Sequence, residues 1–292
     1  MNRVSPSLSK GALFLREIRV EHTLFALPFA YVGALLAARG LPSAWSLLWI
    51  TLAVLGARTA AMAANRYLDR EIDARNPRTA RRAVASGQLS GAAMLWAMAF
   101  GLLLLILSAW MLNPLCVKLL PIAALGVLAY PLCKRFTWLT HLVLGAVDGL
   151  APLGAYIGVA STIGPSALWL FVAVTFWVAG FDVIYALMDL GVDRAQGLRS
   201  LPARFGEKPG RRLAVALHLV TAIALGAAGY AAGASWPYYA GVAAALLLAA
   251  YEERLLHGAE NLFVVNERVF TANMAFSVLF LLATLSGAML PR

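Results

Sequence analysis

Residues 64–87 read ANRYLDREIDARNPRTARRAVASG and close a long apolar stretch. Within them Asn65, Asp69 and Asp73 stand four apart. Residues 181–200, FDVIYALMDLGVDRAQGLRS, bring the rhythm back with Asp182, Asp189 and Asp193. Asp69 is separated from Asp189, and Asp73 from Asp193, by the same 120 residues. The repetition is a functional echo or a worn internal duplication. Two acidic clusters in so apolar a chain require a reason.

Hydrophobic residues make up 61% of the 292 and charged residues 13%, against roughly 45–50% and about 25% in soluble domains. No soluble surface can be built from that ratio. The length alone would allow two soluble domains, but apolar runs recur without a polar linker, so one integral membrane domain over 1–292 is expected. The opening MNRVSPSLSKGALFLREIRVEH has charges on both sides of a short apolar piece and no small-residue cleavage site, so no removable signal peptide is expected. Cys116 and Cys133 fit neither a disulfide framework nor a metal spacing, and read as apolar filler.

At about 20 residues per crossing, the pattern predicts an all-α protein with nine transmembrane helices, near 23–39, 44–66, 91–112, 115–133, 138–158, 167–189, 211–230, 236–254 and 269–290. The 24 cations then sort by side. One face has only Arg39, Lys118 and Arg292, and Arg58 lies within a helix. The rest fall on the N-terminal side, which the positive-inside rule makes cytoplasmic. Both acidic clusters share that side of a cytoplasmic (inner) membrane, and the odd count puts the C-terminus outside. The net charge of +10 reads as topology and contact with anionic lipid, not as a nucleic-acid footprint. Nothing in the chain implies a protein partner.

A four-residue step turns a helix by about 40° beyond a full turn, so Asn65, Asp69 and Asp73 climb one face where the second span meets water. Asp182, Asp189 and Asp193 share a face likewise, with Tyr185 one turn before Asp189. Carboxylates one turn apart repel and do not serve helix stability. Their oxygens suit Mg²⁺, which takes one or two carboxylates and shares its other positions with water and substrate phosphates. Two such helix ends could hold two Mg²⁺ ions around one diphosphate. The competing reading makes these acids counter-ions for nearby arginines.

Cations follow each cluster: Arg78, Arg81 and Arg82, then Arg199 and Arg204, with Tyr130, Lys134 and Arg135 after the fourth span. Together with metal they could stabilise the charge of a departing diphosphate. Arg78, Arg82, Tyr130, Lys134, Arg135, Arg199 and Arg204 are the diphosphate-binding candidates, and topology covers most of the other cations. Arg58 lies about 10 Å deeper than Asn65 on nearly the same face. Such an arginine costs at least ~2.5–3.5 kcal/mol to insert and normally faces a cavity or a partner. It either grips the carboxylate of a second, acidic substrate or forms a structural salt bridge to Asp182 or Asp148. Arg19 and His22 reach the diphosphate, reach the aromatic acid, or anchor the first helix. Arg58, Arg19, Asp182 and Tyr185 are the aromatic-substrate candidates. Asp148 has no assigned role, and His141 and His218 read as interfacial or packed.

At these residues the chain resembles the UbiA superfamily of intramembrane aromatic prenyltransferases. That family carries N-x-x-x-D-x-x-x-D after its second helix and D-x-x-x-D after its sixth, here NRYLDREID and DLGVD. RTARRAVASG resembles its R-T-x-x-R-P-x-x-S-G, YPLCKR its Y-P-x-x-K-R, and LGAVDGLAPLGAYI its fifth helix. LFVVNERVFTANMAF resembles the final loop and ninth helix, so the likeness covers residues 12–290. It implies nine helices around a central cavity beneath a cytoplasmic cap, with Asn65, Asp69, Asp73, Asp189 and Asp193 holding two Mg²⁺ ions. It places Arg82, Lys134 and Arg135 on the diphosphate and Arg58 on the aromatic substrate. Arg66 departs from the aspartate usual after the asparagine, and Ala83 and Ala85 from usual prolines. Asp148 is not a family expectation.

The phrases are most similar to the 4-hydroxybenzoate polyprenyltransferase branch, some members of which are thought to prenylate 1,4-dihydroxy-6-naphthoate for menaquinone. The resemblance therefore implies transfer from a polyprenyl diphosphate to the ring of an aromatic hydroxy acid in quinone biosynthesis. A cation-coupled transporter would want its acids near the bilayer midplane rather than at one interface. A CDP-alcohol phosphotransferase would show D-G-x-x-A-R, which is absent. A haem farnesyltransferase or chlorophyll prenyltransferase would have an acceptor with no carboxylate available to Arg58.

Overall fold

The structure, a computed structural model, describes residues 9–18, 23–257 and 262–290. Among them it is all helix and turn. In lipid every backbone N–H and C=O must find a partner within its own segment, and a helix achieves this. The long helices are α2 (Thr23–Ala38), α3 (Ala44–Leu68), α5 (Gly91–Leu112), α6 (Pro114–Ala129), α7 (Thr140–Ala160), α8 (Pro165–Ala186), α11 (Glu207–Ala232), α12 (Trp236–His257) and α13 (Leu262–Ala288). Short ones fill the gaps: α1 (Lys10–Glu17), α4 (Arg70–Arg75), α9 (Leu190–Ala195) and α10 (Leu201–Phe205). Single 3₁₀ stretches follow α6 at Tyr130–Arg135 and α8 at Leu187–Asp189.

Local chemistry sets the starts. The Ser43 and Ser90 side chains accept N–H groups of Ser46 and Ala93 at the heads of α3 and α5. Asn113 caps α6, whose first residue is Pro114 and has no N–H to satisfy. Gly206, at φ +92°, makes the turn into α11 that a side chain would resist.

Each of the nine expected spans falls on a helix. Among the described residues, seven segments are long and apolar enough to cross a membrane: Ala44–Leu68, Gly91–Leu112, Pro114–Arg135, Thr140–Ala160, Pro165–Ala195, Glu207–Ala232 and Leu262–Ala288. Phe25–Ala38 is apolar but shorter, and α12 ends in the charged run Glu252, Glu253, Arg254. The chain is a multi-pass membrane protein.

Small residues let these helices touch, as is usual where lipid offers no hydrophobic drive between helices. A Cβ on Gly56 of α3 would lie 2.6 Å from the Gly101 carbonyl oxygen of α5. The Gly145 site of α7 likewise abuts the Thr175 carbonyl of α8. On the other side of the bundle Phe25, Phe29, Trp177, Phe276 and Phe280 form a buried aromatic core, with Phe25 stacked on Trp177 at 4.5 Å. Polar groups lock that side too. His218 Nδ1 lies 2.7 Å from Glu252 Oε2, while Asn273 donates to Glu252 Oε1 at 2.5 Å and accepts from Trp177 Nε1 at 2.7 Å. His218 is indeed packed, within a network that ties α8, α11, α12 and α13.

Candidate active site

The helices that carry the two acidic clusters do not run on through them. α3 stops at Leu68 and α4 starts at Arg70, leaving Asp69 at φ −95°, ψ 2°. α8 and its 3₁₀ extension give way to α9 after Asp189, at φ −97°, ψ 3°. Both aspartates sit in the same sparsely populated bridge region, where turns and active-site residues collect. The expected single helical face is thus corrected to two matching kinks. The four-residue step survives because Asp69 N–H still donates to Asn65 O and Asp73 N–H to Asp69 O, at 2.9 and 2.7 Å.

The kinks face one cavity of about 300 Å³. Its wall includes Asn65, Asp69 and Asp73 from the first cluster and Asp182, Tyr185, Asp189 and Asp193 from the second. Arg78, Arg82, Tyr130, Lys134 and Arg199 join them, as do Arg58 and Asp148 from α3 and α7. Phe25, Phe181 and Phe270 supply aromatic wall.

Nearly every acid is engaged. Lys134 Nζ donates to Asp69 Oδ2 at 2.6 Å, and Arg135 Nη2 lies 3.6 Å from Asp69 Oδ1 while donating to Leu68 O. Arg82 Nη1 meets Asp73 Oδ2 at 2.7 Å. Arg78 grips Asp189 with two bonds, Nε to Oδ1 at 2.9 Å and Nη2 to Oδ2 at 2.5 Å, and reaches Tyr185 Oη at 3.3 Å. Asn76 donates to Asp189 Oδ1 at 3.1 Å, and Ser200 Oγ donates to Asp193 Oδ2 at 2.8 Å. Burial works to lower the Arg78 pKa. The hydrogen bond to Asp189 and its negative charge outweigh that, so the net movement is upward and the guanidinium is a fixed cation.

The remaining candidates divide. Arg199 lines the cavity, but its Nη1 donates to Phe136 O at 2.7 Å. Arg204 is outside the cavity wall, exposed, with its guanidinium over the rings of Trp138 and Phe205 at 5.5 and 5.4 Å. Its expected place among the diphosphate cations is not where the structure puts it, because aromatic faces on the cap hold it by cation–π attraction. Arg19 and His22 lie outside the described residues. Arg58 is paired through Nη1 with Asp148 Oδ1 at 3.0 Å, and its Nε is buried with no hydrogen-bond partner among the described residues. The salt bridge weighed for it exists, and Asp148 is the partner. That pair also borders a second cavity of about 290 Å³, otherwise apolar, between α3, α5, α6 and α7.

Sequence reasoning did not find His141, Asn76 or Ser200. His141 is buried, with Nδ1 2.6 Å from Asp182 Oδ2. A spacing of 41 residues carries no local signal for that pair. Asn76 precedes Pro77 and accepts the Arg78 N–H, an ordinary turn signature that hid its second bond to Asp189.

Arg66, the departure noted above, is buried. Its Nη1 donates to Asn65 Oδ1 at 3.1 Å, and its Nε lies 3.1 Å from Glu17 Oε2. Glu17, at the end of α1, also accepts the Ala83 N–H at 2.5 Å. A proline at 83 would offer no such donor. Two departures from the family pattern therefore meet on one carboxylate.

Among the described residues, no three acid, histidine or cysteine side chains gather closely enough to hold a metal ion by themselves. The donor set still suits one. Asp69 Oδ1 is buried with no hydrogen bond among the described residues, and Mg²⁺ needs only one or two carboxylates when phosphate oxygens complete its shell.

The UbiA prenyltransferase family model matches residues 26–262. A protein of Shewanella sediminis (strain HAW-EB3), named 4-hydroxybenzoate octaprenyltransferase, is 32% identical over 258 residues, covering 85% of this chain and 88% of its own. The apo structure of a UbiA homologue from Aeropyrum pernix K1 superposes with a TM-score of 0.82 at 32% identity, covering 91% of this chain and 97% of that one. A UbiA homologue from Archaeoglobus fulgidus, solved bound to GPP and Mg²⁺, shares the fold at a TM-score of 0.70 and 17% identity, covering 94% and 99%.

Proposed function

Because the chain belongs to the UbiA prenyltransferase family, we propose that its cavity transfers a polyprenyl group from polyprenyl diphosphate to the ring of an aromatic hydroxy acid of the 4-hydroxybenzoate type, serving ubiquinone biosynthesis. The observation that carries this reading is the meeting, in one cavity, of two kinked acidic clusters with Arg78, Arg82 and Lys134.

Asn65, Asp69, Asp73, Asp189 and Asp193 would hold two Mg²⁺ ions with the diphosphate. The metal, when bound, supplies electrostatic stabilisation of the leaving diphosphate. Arg78, Arg82 and Lys134, which here neutralise the acids, would supply donors to the diphosphate oxygens. Arg135 supports Lys134 from the rim. Tyr130 and Tyr185 close the sides of the head-group site. Arg58 takes the acceptor's carboxylate, and its buried, unsatisfied Nε is a donor that needs an acceptor atom. Phe25, Phe181 and Phe270 line the cavity and exclude water from the cationic carbon that forms as the diphosphate departs. The prenyl tail leaves sideways between helices, where the apolar cavity beside Arg58 suits it. The N-terminus and the cap loops lie on the cytoplasmic side of the cytoplasmic membrane, as the cation asymmetry supports.

The test is a membrane-fraction assay with radiolabelled geranyl diphosphate and Mg²⁺, offering 4-hydroxybenzoate and 1,4-dihydroxy-6-naphthoate separately. Lipid-soluble label with 4-hydroxybenzoate is expected. Label with the naphthoate alone would move the acceptor, and no product with either from folded protein would overturn the reading.

A further inference from the structure

We propose that Asp182, held by His141, is the base that takes the proton from the acceptor ring. This rests on reading the cavity as the site of prenyl transfer.

Asp182 differs from its neighbours in its partner. Asp69, Asp73, Asp148 and Asp189 are each clamped by a cation. The partner of Asp182 is a histidine whose tautomer the structure fixes. Leu201 N–H donates to His141 Nε2 at 3.3 Å, so that nitrogen carries no proton. The proton is on Nδ1, which donates to Asp182 Oδ2 at 2.6 Å. A neutral imidazole thus orients the carboxylate without cancelling its charge. Both residues belong to the cavity wall, but the histidine side chain is only 4% exposed while the aspartate is 27% exposed. Among the described residues the other oxygen of Asp182 has no hydrogen-bond partner. It is the open one.

Position agrees with this. Asp182 lies seven residues before Asp189, on the same helical face and about 10 Å further from the kink at 1.5 Å per residue. That level falls between the diphosphate end and the Arg58–Asp148 pair, both of which share the cavity wall. An aromatic acid with its carboxylate on Arg58 and its reactive carbon towards the diphosphate spans this level.

The transfer itself needs a base there. The bond between the prenyl C1 and the diphosphate oxygen breaks, with its electron pair going to oxygen. The ring carbon ortho to the hydroxyl forms a bond to C1, leaving that carbon with both a hydrogen and the prenyl group and the ring with a positive charge. The C–H proton passes to the open oxygen of Asp182, the C–H electron pair restores aromaticity, and the proton leaves to water with the products. Asp182 is the catalytic residue in this step. His141 is a positioning residue.

The experiment compares ordinary 4-hydroxybenzoate with the same acid deuterated ortho to its hydroxyl. In the wild type, proton loss is fast and the isotope effect on kcat is near unity. Asp182→Asn is expected to lower kcat by about a hundredfold, within the range of general-base removal, and to unmask a primary isotope effect with unchanged KM for geranyl diphosphate. Asp182→Glu should recover part of the rate. His141→Asn keeps a donor towards Asp182 and should show a smaller isotope effect than His141→Phe. The inference is overturned if Asp182→Asn keeps wild-type kcat, if its slow turnover shows no isotope effect, or if it loses geranyl diphosphate binding along with activity. Failure of the wild type to prenylate the acid would instead refute the prenyl-transfer reading.

Discussion

The two acidic clusters match in sequence and in backbone, yet they are held differently. Asp69 and Asp73 are almost wholly buried, at 1% and 6% exposure, and their cations come from two different loops, Lys134 from the 3₁₀ turn after α6 and Arg82 from the loop after α4. Asp189 and Asp193 are only partly buried, and the loop that follows them gives them no cation. Asp189 borrows Arg78 from the other cluster's loop, and Asp193 makes do with the Ser200 hydroxyl. The backbone is matched at the two kinks while the charge network around them is lopsided. One loop, 76–82, serves both halves. The second half is the one whose carboxylates are more available to a ligand.

The largest effect should come where the halves meet. Asp189→Asn removes one carboxylate charge and leaves Arg78 without its bidentate partner, and kcat should fall about 10²–10³-fold, the usual scale for losing one electrostatic stabiliser. Steady-state assay of membranes matched for expression measures this. Asp69→Asn should fall in the same range, and a large gap between the two would show that the clusters do not share the work. A middle-sized effect is expected at Ser200→Ala. Losing one hydrogen bond to a charged group, worth about 1.5–3 kcal/mol, should raise the Mg²⁺ concentration for half-maximal rate by roughly tenfold or more, as read by metal titration. Arg204→Gln should be the smallest, with kcat/KM within about twofold of wild type, because its guanidinium lies on cap rings outside the cavity. A tenfold loss there would return Arg204 to the diphosphate.

Much of this was legible. Hydropathy located eight of the long helices within about four residues at each end, because lipid burial is a local property of the chain, while α13 begins at Leu262, seven residues before the expected 269. The acidic rhythm was legible for the same reason. The kinks at Asp69 and Asp189 were not, since a bridge-region residue can sit inside a four-residue repeat without changing its spacing. Partner choice was legible only where cost forced it. Arg58 and Asp148 are opposite charges deep in spans, each intolerable alone, so their pairing had a signal. Arg78 reaching Asp189 rather than Asp73, or His141 finding Asp182, depends on tertiary approach that no spacing encodes. Arg199 and Arg204 show the opposite limit. Nearness in sequence to the acids placed them on the cap, but their side chains point to a carbonyl and to aromatic rings.

The knot of Glu17, Arg66 and Ala83 bears on how this sequence can change over time. Returning Arg66 alone to an acid would set two carboxylates face to face in a buried site. Returning Ala83 alone to proline would leave a glutamate oxygen without its donor. Losing Glu17 would take the carboxylate from a buried arginine, a loss of up to about 3–5 kcal/mol for a broken interior pair. Each single step is a descent, whereas a concerted change is neutral ground. The three positions are therefore expected to be inherited as a unit, and a library that varies them one at a time will find a barrier where one that varies them together finds a path.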